Sequence, residues 1–488
     1  MKQLKDILYK VRIEKVKGKT DRSIKEVVFD SRKIAANTLF VAIRGSATDG
    51  HQYIEQAVQA GAVAVVCEEL PETLSEKVTY VNVLDSKEAL AVLAANYFEN
   101  PSENLKLVGV TGTNGKTTVT TLLHEMFSNA GYKVGLISTV NIKIGNQEFA
   151  TRLTTPDSIT INSYLKKMNE AGVEYCFMEV SSHGIHQKRT AGLAFAGGVF
   201  TNLSQDHLDY HKDFAEYRNT KKKFFDQLPK NAFALTNRDD KNGLFMLQNT
   251  KAHKKTYALK SAADYTAKIL EGSFQGMLMV INQQEVWTKL IGDFNAYNLL
   301  AIYASADLLK MDTVENLKTL SNLDAVEGRF EHFISAQKEI TAIVDYAHTP
   351  DALENVLKTI NKIRPKNESL ITVVGCGGDR DKNKRPLMGR IAAQLSDKVI
   401  YTSDNPRTED PEQIIKDVEA GVEPQNTHKT LAIVNRRQAI KTACVMAEEK
   451  DIILIAGKGH ESYQEIHGER HHFDDMELVT EFLISLKK

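Results

Sequence analysis

Short apolar runs alternate with longer amphipathic stretches and polar turns along most of this chain. Apolar runs of five or six residues bounded by turn formers read as buried strands. Apolar positions recurring every three and four residues read as helices. Three blocks separate on this pattern. In the first, to residue 102, strands are expected over 27–32, 38–43 and 62–66 and a helix over 53–60, with Asn100-Pro101-Ser102 as a linker. The second opens on an apolar run, 105–110, followed by a glycine-rich turn and an amphipathic segment, 119–130. Strands follow at 175–180 and 198–202, then a helix through 213–220, a hairpin over 277–281 and 285–289, and a helix over 296–309. The third block begins near Phe333. Strands at 340–345, 370–374, 398–402, 431–434 and 451–456 alternate there with helices at 350–363, 386–395, 411–420, 436–448 and 475–485. That alternation predicts a doubly wound, Rossmann-like α/β unit. The fold class is α/β, with blocks 1–102, 103–331 and 332–488 as the expected domains.

The turn after 105–110 carries the clearest chemistry. Thr111-Gly112-Thr113-Asn114-Gly115-Lys116-Thr117-Thr118 lies between an expected strand and an expected helix. Glycines let backbone N–H groups close around phosphate oxygens, and the helix N-terminus adds partial positive charge. Lys116 suits a β- or γ-phosphate and the Thr117 hydroxyl suits Mg²⁺. Val110 stands where G-x-x-x-x-G-K-[ST] has its first glycine, so the match is imperfect. A nucleoside triphosphate is the expected ligand.

Composition narrows the setting. Of 488 residues, 62 are Lys or Arg and 63 Asp or Glu, a net charge of −1. That balance gives no reason to expect nucleic acid or an anionic membrane as the main partner. Cys67, Cys176, Cys376 and Cys444 are scattered without metal or redox spacing and lie in or beside apolar runs, so buried thiols in a reducing compartment are expected. Residues 1–12 lack the apolar core of a secretory signal, and no apolar run approaches a membrane span. A cytoplasmic chain is the simplest reading.

Other polar residues gather where expected strands end. Glu179 and His207 end two strands of the second block, and with Thr117 they form a donor set for Mg²⁺ around a triphosphate. In Lys221-Lys222-Lys223, Lys222 and Lys223 read as a solvated face. Lys221, in a crowded cationic site, could be neutral enough to capture CO₂, and its carbamate would then ligate a second Mg²⁺. Asn295 and Asn298, one helical turn apart, could read an adenine edge, or Asn295 could be an N-cap. Arg329 sits at the junction with the third block. In that block four turns follow strands: Asp345–Pro350, Gly375–Arg380, Asp404-Asn405-Pro406-Arg407 and Gly457–Glu461. They define one mouth holding Arg380 and Arg407 with Asp404 and Glu461, a set that suits the carboxylate and ammonium of an amino acid.

Together these motifs resemble the Mur ligases of peptidoglycan synthesis, and the resemblance spans essentially the whole chain. Its landmarks are Asp30-Ser31-Arg32, Thr111–Thr118, Thr154-Thr155-Pro156, Glu179–His183, Asn202–Asp209, Lys221, Asn295–Asn298, Gly328-Arg329, Asp345–Pro350, Asp404–Arg407 and Gly457–Glu461. The family's loop itself lacks the first glycine. The resemblance implies a UDP-sugar domain (1–102), an ATP-binding ligase domain (103–331) and an amino-acid domain (332–488). It implies that Ser31 contacts the uridine end, and that Thr154, Thr155, Ser181, Gln187 and Arg189 hold the muramyl dipeptide. Gly112, Thr113, Asn114, Gly115, Lys116, Thr117, Thr118, Asn298, Arg329 and Asp345 would bind ATP. Thr117, Glu179, His207 and a carbamylated Lys221 would hold Mg²⁺, and Lys116, Glu179, His207 and Lys221 would carry catalysis. Arg380, Asp404, Asn405, Pro406, Arg407, Gly457 and Glu461 would form the amino-acid pocket.

The implied reaction has two steps. A D-glutamyl γ-carboxylate of the UDP-N-acetylmuramoyl dipeptide attacks the ATP γ-phosphate, and an amine then attacks the acyl phosphate. Arg407 fits the second carboxylate of meso-diaminopimelate, whereas lysine would leave it unpaired. The lysine-adding reaction is the alternative. A folylpolyglutamate synthetase is more distant, given the long first block and the Asp404–Arg407 turn, and a non-catalytic scaffold fits poorly with Lys116, Glu179, His207 and Lys221 in one chain. The expected state is a monomer without nucleic-acid or membrane partners. Lys222 and Asn435-Arg436 depart from the family's usual residues, away from the chemistry.

Overall fold

The computed structural model describes residues 1–45, 48–151, 153–207, 210–365 and 367–488. Within the landmark 202–209, Leu208 and Asp209 therefore lie outside the described residues. Three large sheets follow one another along the chain, with two further two-stranded ones among the described residues.

The first has five strands in the order Ile13–Lys17, Thr79–Val83, Ala62–Cys67, Thr38–Val41, Glu26–Val28, parallel except for the first. The strand expected over 27–32 stops at Val28. Asp30 instead accepts the Arg32 N–H at 3.1 Å and caps a 3₁₀ turn, Ser31–Lys33. A side-chain acceptor for a backbone donor is what ends extended structure at such residues. Asn100-Pro101-Ser102 is likewise no open linker. Pro101–Glu103 forms a 3₁₀ turn with Pro101 and Ser102 buried, and the Ser102 hydroxyl accepts from Ala194 N.

The second sheet has eleven strands. Its parallel centre runs Val134–Ile137, Tyr175–Glu179, Lys106–Thr111, Phe195–Phe200, Phe233–Asn237, His253–Ala258, Tyr265–Ser273. Antiparallel strands extend both ends: Asn141–Ile144 and Gln147–Ala150 on one side, Gly276–Ile281 and Gln284–Thr288 on the other. Strands buried on both faces are nearly continuous apolar runs, which is why Lys106–Thr111 was easy to read. One face packs Lys116–Asn129 and Asp293–Leu308, and the other packs Ser158–Glu170 and Phe214–Asp226. Gly109 is needed for the second face. A Cβ there would lie 2.6 Å from Phe224 and 2.9 Å from Phe195. Its absence lets helix Phe214–Asp226, which carries Lys221, lie close beneath the loop strand.

The third sheet runs Glu331–Ile334, Thr341–Asp345, Ile452–Ala456, Leu370–Cys376, Lys398–Ser403, Thr430–Ala432, parallel except for the first. Pro350–Ile363, Lys384–Leu395 and Pro411–Glu419 cover one face, while Arg436–Met446 and Asp475–Ser485 cover the other. This is the doubly wound arrangement expected. The hairpin Tyr463–Ile466 with Glu469–His472 was not foreseen. All four cysteines are buried and free. Among the described residues no helix is long and apolar enough to cross a membrane.

Candidate active site

The glycine loop joins strand Lys106–Thr111 to helix Lys116–Asn129, at the centre of the large sheet. Gly115 has φ +85°, and a Cβ on it would fall 2.6 Å from Asn298 Oδ1. Asn298 thus closes against the loop. Asn295 is not an N-cap: Gly292 caps that helix, and Asn295 Nδ2 donates back to Ile291 O. The neighbouring strand end braces the loop. Asn202 Oδ1 accepts from Asn114 N at 2.9 Å, Thr201 Oγ1 donates to Asn114 O at 2.6 Å, and Thr113 Oγ1 pairs with Tyr217 OH at 3.1 Å. Sequence reasoning missed Thr201 and Tyr217 as braces, since a hydroxyl at a strand end carries no signal of its partner.

Two lysines meet at one carbonyl. Lys116 Nζ donates to Gly112 O at 3.0 Å and Thr113 O at 2.7 Å, and Lys221 Nζ donates to the same Gly112 O at 2.8 Å. Lys221 is 1% exposed and stands 4.6 Å over the Tyr217 ring. Burial first, and the Lys116 charge second, pull its amine well below the usual lysine range. Burial also lowers Lys116. Lys222 is not on a solvated face. It is buried and paired to Asp226 at 2.6 Å, its stem covering an apolar surface near Phe245, while Lys223 is exposed.

Glu179 is fully buried at its strand end. Its Oε1 accepts from Thr139 N at 2.7 Å, whereas Oε2 has no hydrogen-bond partner. A buried carboxylate oxygen left open costs stability unless something cationic meets it, so the donor set fits a hard cation. Among the described residues no three His, Cys, Asp or Glu side chains converge to hold a metal by themselves. Such an ion would take its other ligands from hydroxyls, water and phosphate, as Mg²⁺ does. His207 has φ +55°, and its ring nitrogen lies 3.5 Å from Asp206. Burial outweighs the attraction of Asp206 and lowers this imidazole, which favours its neutral form.

Behind Glu179 lies a polar relay. Thr155 Oγ1 donates to Glu179 O at 2.8 Å and accepts from Ser181 N at 2.9 Å. Arg189 reaches Thr155 O at 2.5 Å and grips Gln187 Oε1 through Nε and Nη2. Thr154 Oγ1 accepts from Thr139 Oγ1 at 3.1 Å.

The third unit faces this loop across a cleft of about 1710 Å³. Arg329 Nη2 donates to Thr117 Oγ1 at 3.3 Å, and its guanidinium stacks 4.4 Å from the Tyr346 ring. Asp345 accepts Phe330 N at 2.7 Å, and burial raises its carboxyl to about 6 despite Arg329. Deeper in the third unit, Asn405 Nδ2 donates to Glu461 Oε2 at 2.7 Å. Lys458, wholly buried, donates to Asn405 Oδ1 at 3.1 Å and lies 3.4 Å from Glu461 and 3.8 Å from Asp404. Sequence reasoning overlooked Lys458, which reads as one more turn lysine. Arg407 Nη1 donates to Gly378 O at 2.6 Å.

One cleft therefore collects residues from Thr113 through Thr118 with Thr154, Thr155, Glu179, Ser181, Arg189, His207, Asn298, Arg329 and Asp345. It also takes in Arg380, Asp404, Asn405, Arg407, Gly457 and Glu461. Gly112, Gln187, Lys221 and Pro406 do not line it themselves, and Ser31 lies in the 3₁₀ turn after the last strand of the first sheet, outside the cleft lining.

Residues 23–98 match the family description "Mur ligase family, catalytic domain", 110–306 "Mur ligase middle domain", and 328–459 "Mur ligase, glutamate ligase domain". The chain is 53% identical over 479 residues to the UDP-N-acetylmuramoyl-L-alanyl-D-glutamate–2,6-diaminopimelate ligase of Phocaeicola vulgatus, covering 98% of this chain and 99% of that one. A solved structure of a ligase with the same name superposes with a TM-score of 0.70 at 32% identity, over 100% of this chain and 99% of the other. The MurF ligase of Thermotoga maritima in complex with ADP shares the fold, with a TM-score of 0.61 at 18% identity over 94% and 97% of the two chains. With the glycine loop and the charged turns of the third unit lining one cleft, and similarity running end to end, this chain belongs to the Mur ligase family.

Proposed function

We propose that this protein adds meso-2,6-diaminopimelate to the D-glutamate γ-carboxylate of UDP-N-acetylmuramoyl-L-alanyl-D-glutamate, using ATP. It is an ATP-dependent, ADP-forming amide ligase of peptidoglycan synthesis. The observation that carries this reading is the single cleft, with the glycine loop on one wall and Arg407, Asp404 and Glu461 on the other. The lysine-adding reaction is not favoured, because the relatives of matching length are named for diaminopimelate.

In this reading residues 1–102 bind the UDP-sugar through Ser31, 103–331 bind ATP, and 332–488 bind the amino acid. The Thr155–Ser181–Arg189 relay holds the dipeptide with its carboxylate toward the loop. Lys116 leaves the loop carbonyls to meet the phosphates, and Arg329, beside Thr117, meets the transferring group. Thr117, Glu179 and His207 would hold one Mg²⁺ and a carbamylated Lys221 a second, and these ions would supply the positive charge that offsets repulsion between the two anions. The support for a carbamate is a buried, neutral-leaning amine next to a second lysine. Arg380 and Arg407 take the two carboxylates of the incoming amino acid, and Asp404 and Glu461 take an ammonium group. Buried free thiols support a reducing, cytoplasmic setting, and the near-zero net charge supports work without membrane or nucleic acid.

The test offers UDP-muramyl dipeptide and ATP with either diaminopimelate or lysine and weighs the product. Phosphate release that needs both dipeptide and diaminopimelate is expected. ATP binding without turnover would overturn the reading.

A further inference from the structure

The turn that carries Arg407 is held by a second charged system that the proposed reaction does not itself use. Arg407 lies in left-handed backbone at φ +51°, and Asp379 opposite it is at φ +53°. Two adjacent non-glycine loops in that conformation need outside restraint. The restraint centres on Glu409. Its Oε1 accepts from Asp379 N at 2.6 Å and Arg385 Nη2 at 2.8 Å, and its Oε2 accepts from Arg385 Nη1 and Lys382 Nζ, each at 3.1 Å. Arg385 is wholly buried and is anchored from behind by Asp417 at 2.8 Å. Thr408 completes the tie, its hydroxyl donating to Asp379 Oδ1 at 2.7 Å. The forked Arg385–Glu409 pair therefore staples the Gly377–Asp379 turn to the Arg407 turn.

The stapling fixes the guanidinium as well as the backbone. Arg407 Nη1 is committed to Gly378 O, a carbonyl of the stapled turn. Nε and Nη2 then remain as the two-pronged edge for a carboxylate, in one orientation. We propose that Arg385 and Glu409 are positioning residues for amino-acid selection. They hold Arg407 so that its free edge binds the carboxylate that diaminopimelate has and lysine lacks. This rests on the proposed diaminopimelate reaction.

The test is Glu409→Gln, which keeps size but gives one acceptor oxygen where four donors converge, and Asp417→Asn, which loosens Arg385 from behind without touching either turn. Steady-state kinetics are read for all three substrates, with lysine as competitor and thermal melting as a check on folding. In Glu409→Gln the KM for diaminopimelate should rise about tenfold, with KM for ATP and for the UDP-sugar within about twofold. The diaminopimelate-to-lysine preference should fall by the same factor, and Asp417→Asn should shift both in the same direction by less. If Glu409→Gln does not fold, the same comparison in Asp417→Asn decides. An unmoved preference ratio, or a uniform loss across the three substrates, would overturn the assignment. A wild-type enzyme that ignores diaminopimelate would instead count against the proposed reaction.

Discussion

At the scale of single residues, the site is a set of charges whose burial is only tolerable with partners. Asp345 is the sharpest case. Its carboxyl is raised from 3.8 to about 6 by burial, so between those values the folded chain binds a proton that the unfolded chain has lost. Stability from this group is full below pH 4 and falls as pH rises through that window. Asp345→Asn removes the ionisable group, so relative to wild type it should gain little at pH 4 and about 3 kcal/mol above pH 6. Urea melts at the two pH values check this, and equal differences at both would refute it. Arg407→Ala should lose diaminopimelate use by about a hundredfold, with ATP binding nearly unchanged. Retained diaminopimelate turnover would remove Arg407 from the pocket. Lys116, Glu179 and Arg407 were legible because their residue types sit at strand ends in recognisable turns. Lys458 and Glu409 were not, because a buried ion pair between distant turns leaves no pattern in either one.

Among the elements, the loop and its helix owe their geometry to a missing side chain. Gly115→Ala places a methyl 2.6 Å from Asn298 Oδ1 at a φ that L residues rarely adopt. ATP affinity should fall about tenfold or more while the sheet stays folded. Titration calorimetry with the far-ultraviolet circular dichroism spectrum as control decides it, and unchanged affinity would show that the Asn298 contact is dispensable. Two helices of the third unit were read to the residue: Pro350–Ile363 and Asp475–Ser485 begin and end where their patterns do. Pro at the first helical turn and capping Thr349 and Asp474 are local signals. The strand expected at 27–32 failed for the opposite reason, since Asp30 diverts its own backbone into a turn. The hairpins over 141–150 and 463–472 were missed because half-exposed, charged strands lack a continuous apolar run.

Across the whole molecule, the second and third units meet through Ile291 and Phe294, which pack into the third unit's core, and through polar contacts across the cleft. Asn114 Nδ2 meets Asp351 at 3.1 Å, Arg329 meets Thr117, and Lys362 pairs with Asp293 at 2.7 Å. A ligand that fills this gap couples the second and third units. Mg²⁺-ATP at about a hundred times its Kd should stabilise the chain by about 2.7 kcal/mol, and chelation of Mg²⁺ should remove most of that gain. A melting temperature insensitive to the chelator would disconnect Glu179 from metal binding. Domain order was visible in the sequence because each block has its own apolar rhythm. The convergence of strand ends on one mouth was visible only as a rule of parallel sheets, and the partner of each polar tail was not.

The four buried cysteines have a practical corollary. Burial pushes the Cys67 and Cys376 thiols up to about 11 and Cys444 to about 12, and raises Cys176 further. Thiols held in that range are almost entirely protonated at neutral pH and are poor targets for maleimides. A dye pair on Lys310→Cys in the second unit and Glu449→Cys in the third, both exposed positions, can therefore be attached with every native cysteine in place. Energy transfer between the two dyes would then follow cleft closure in real time during turnover.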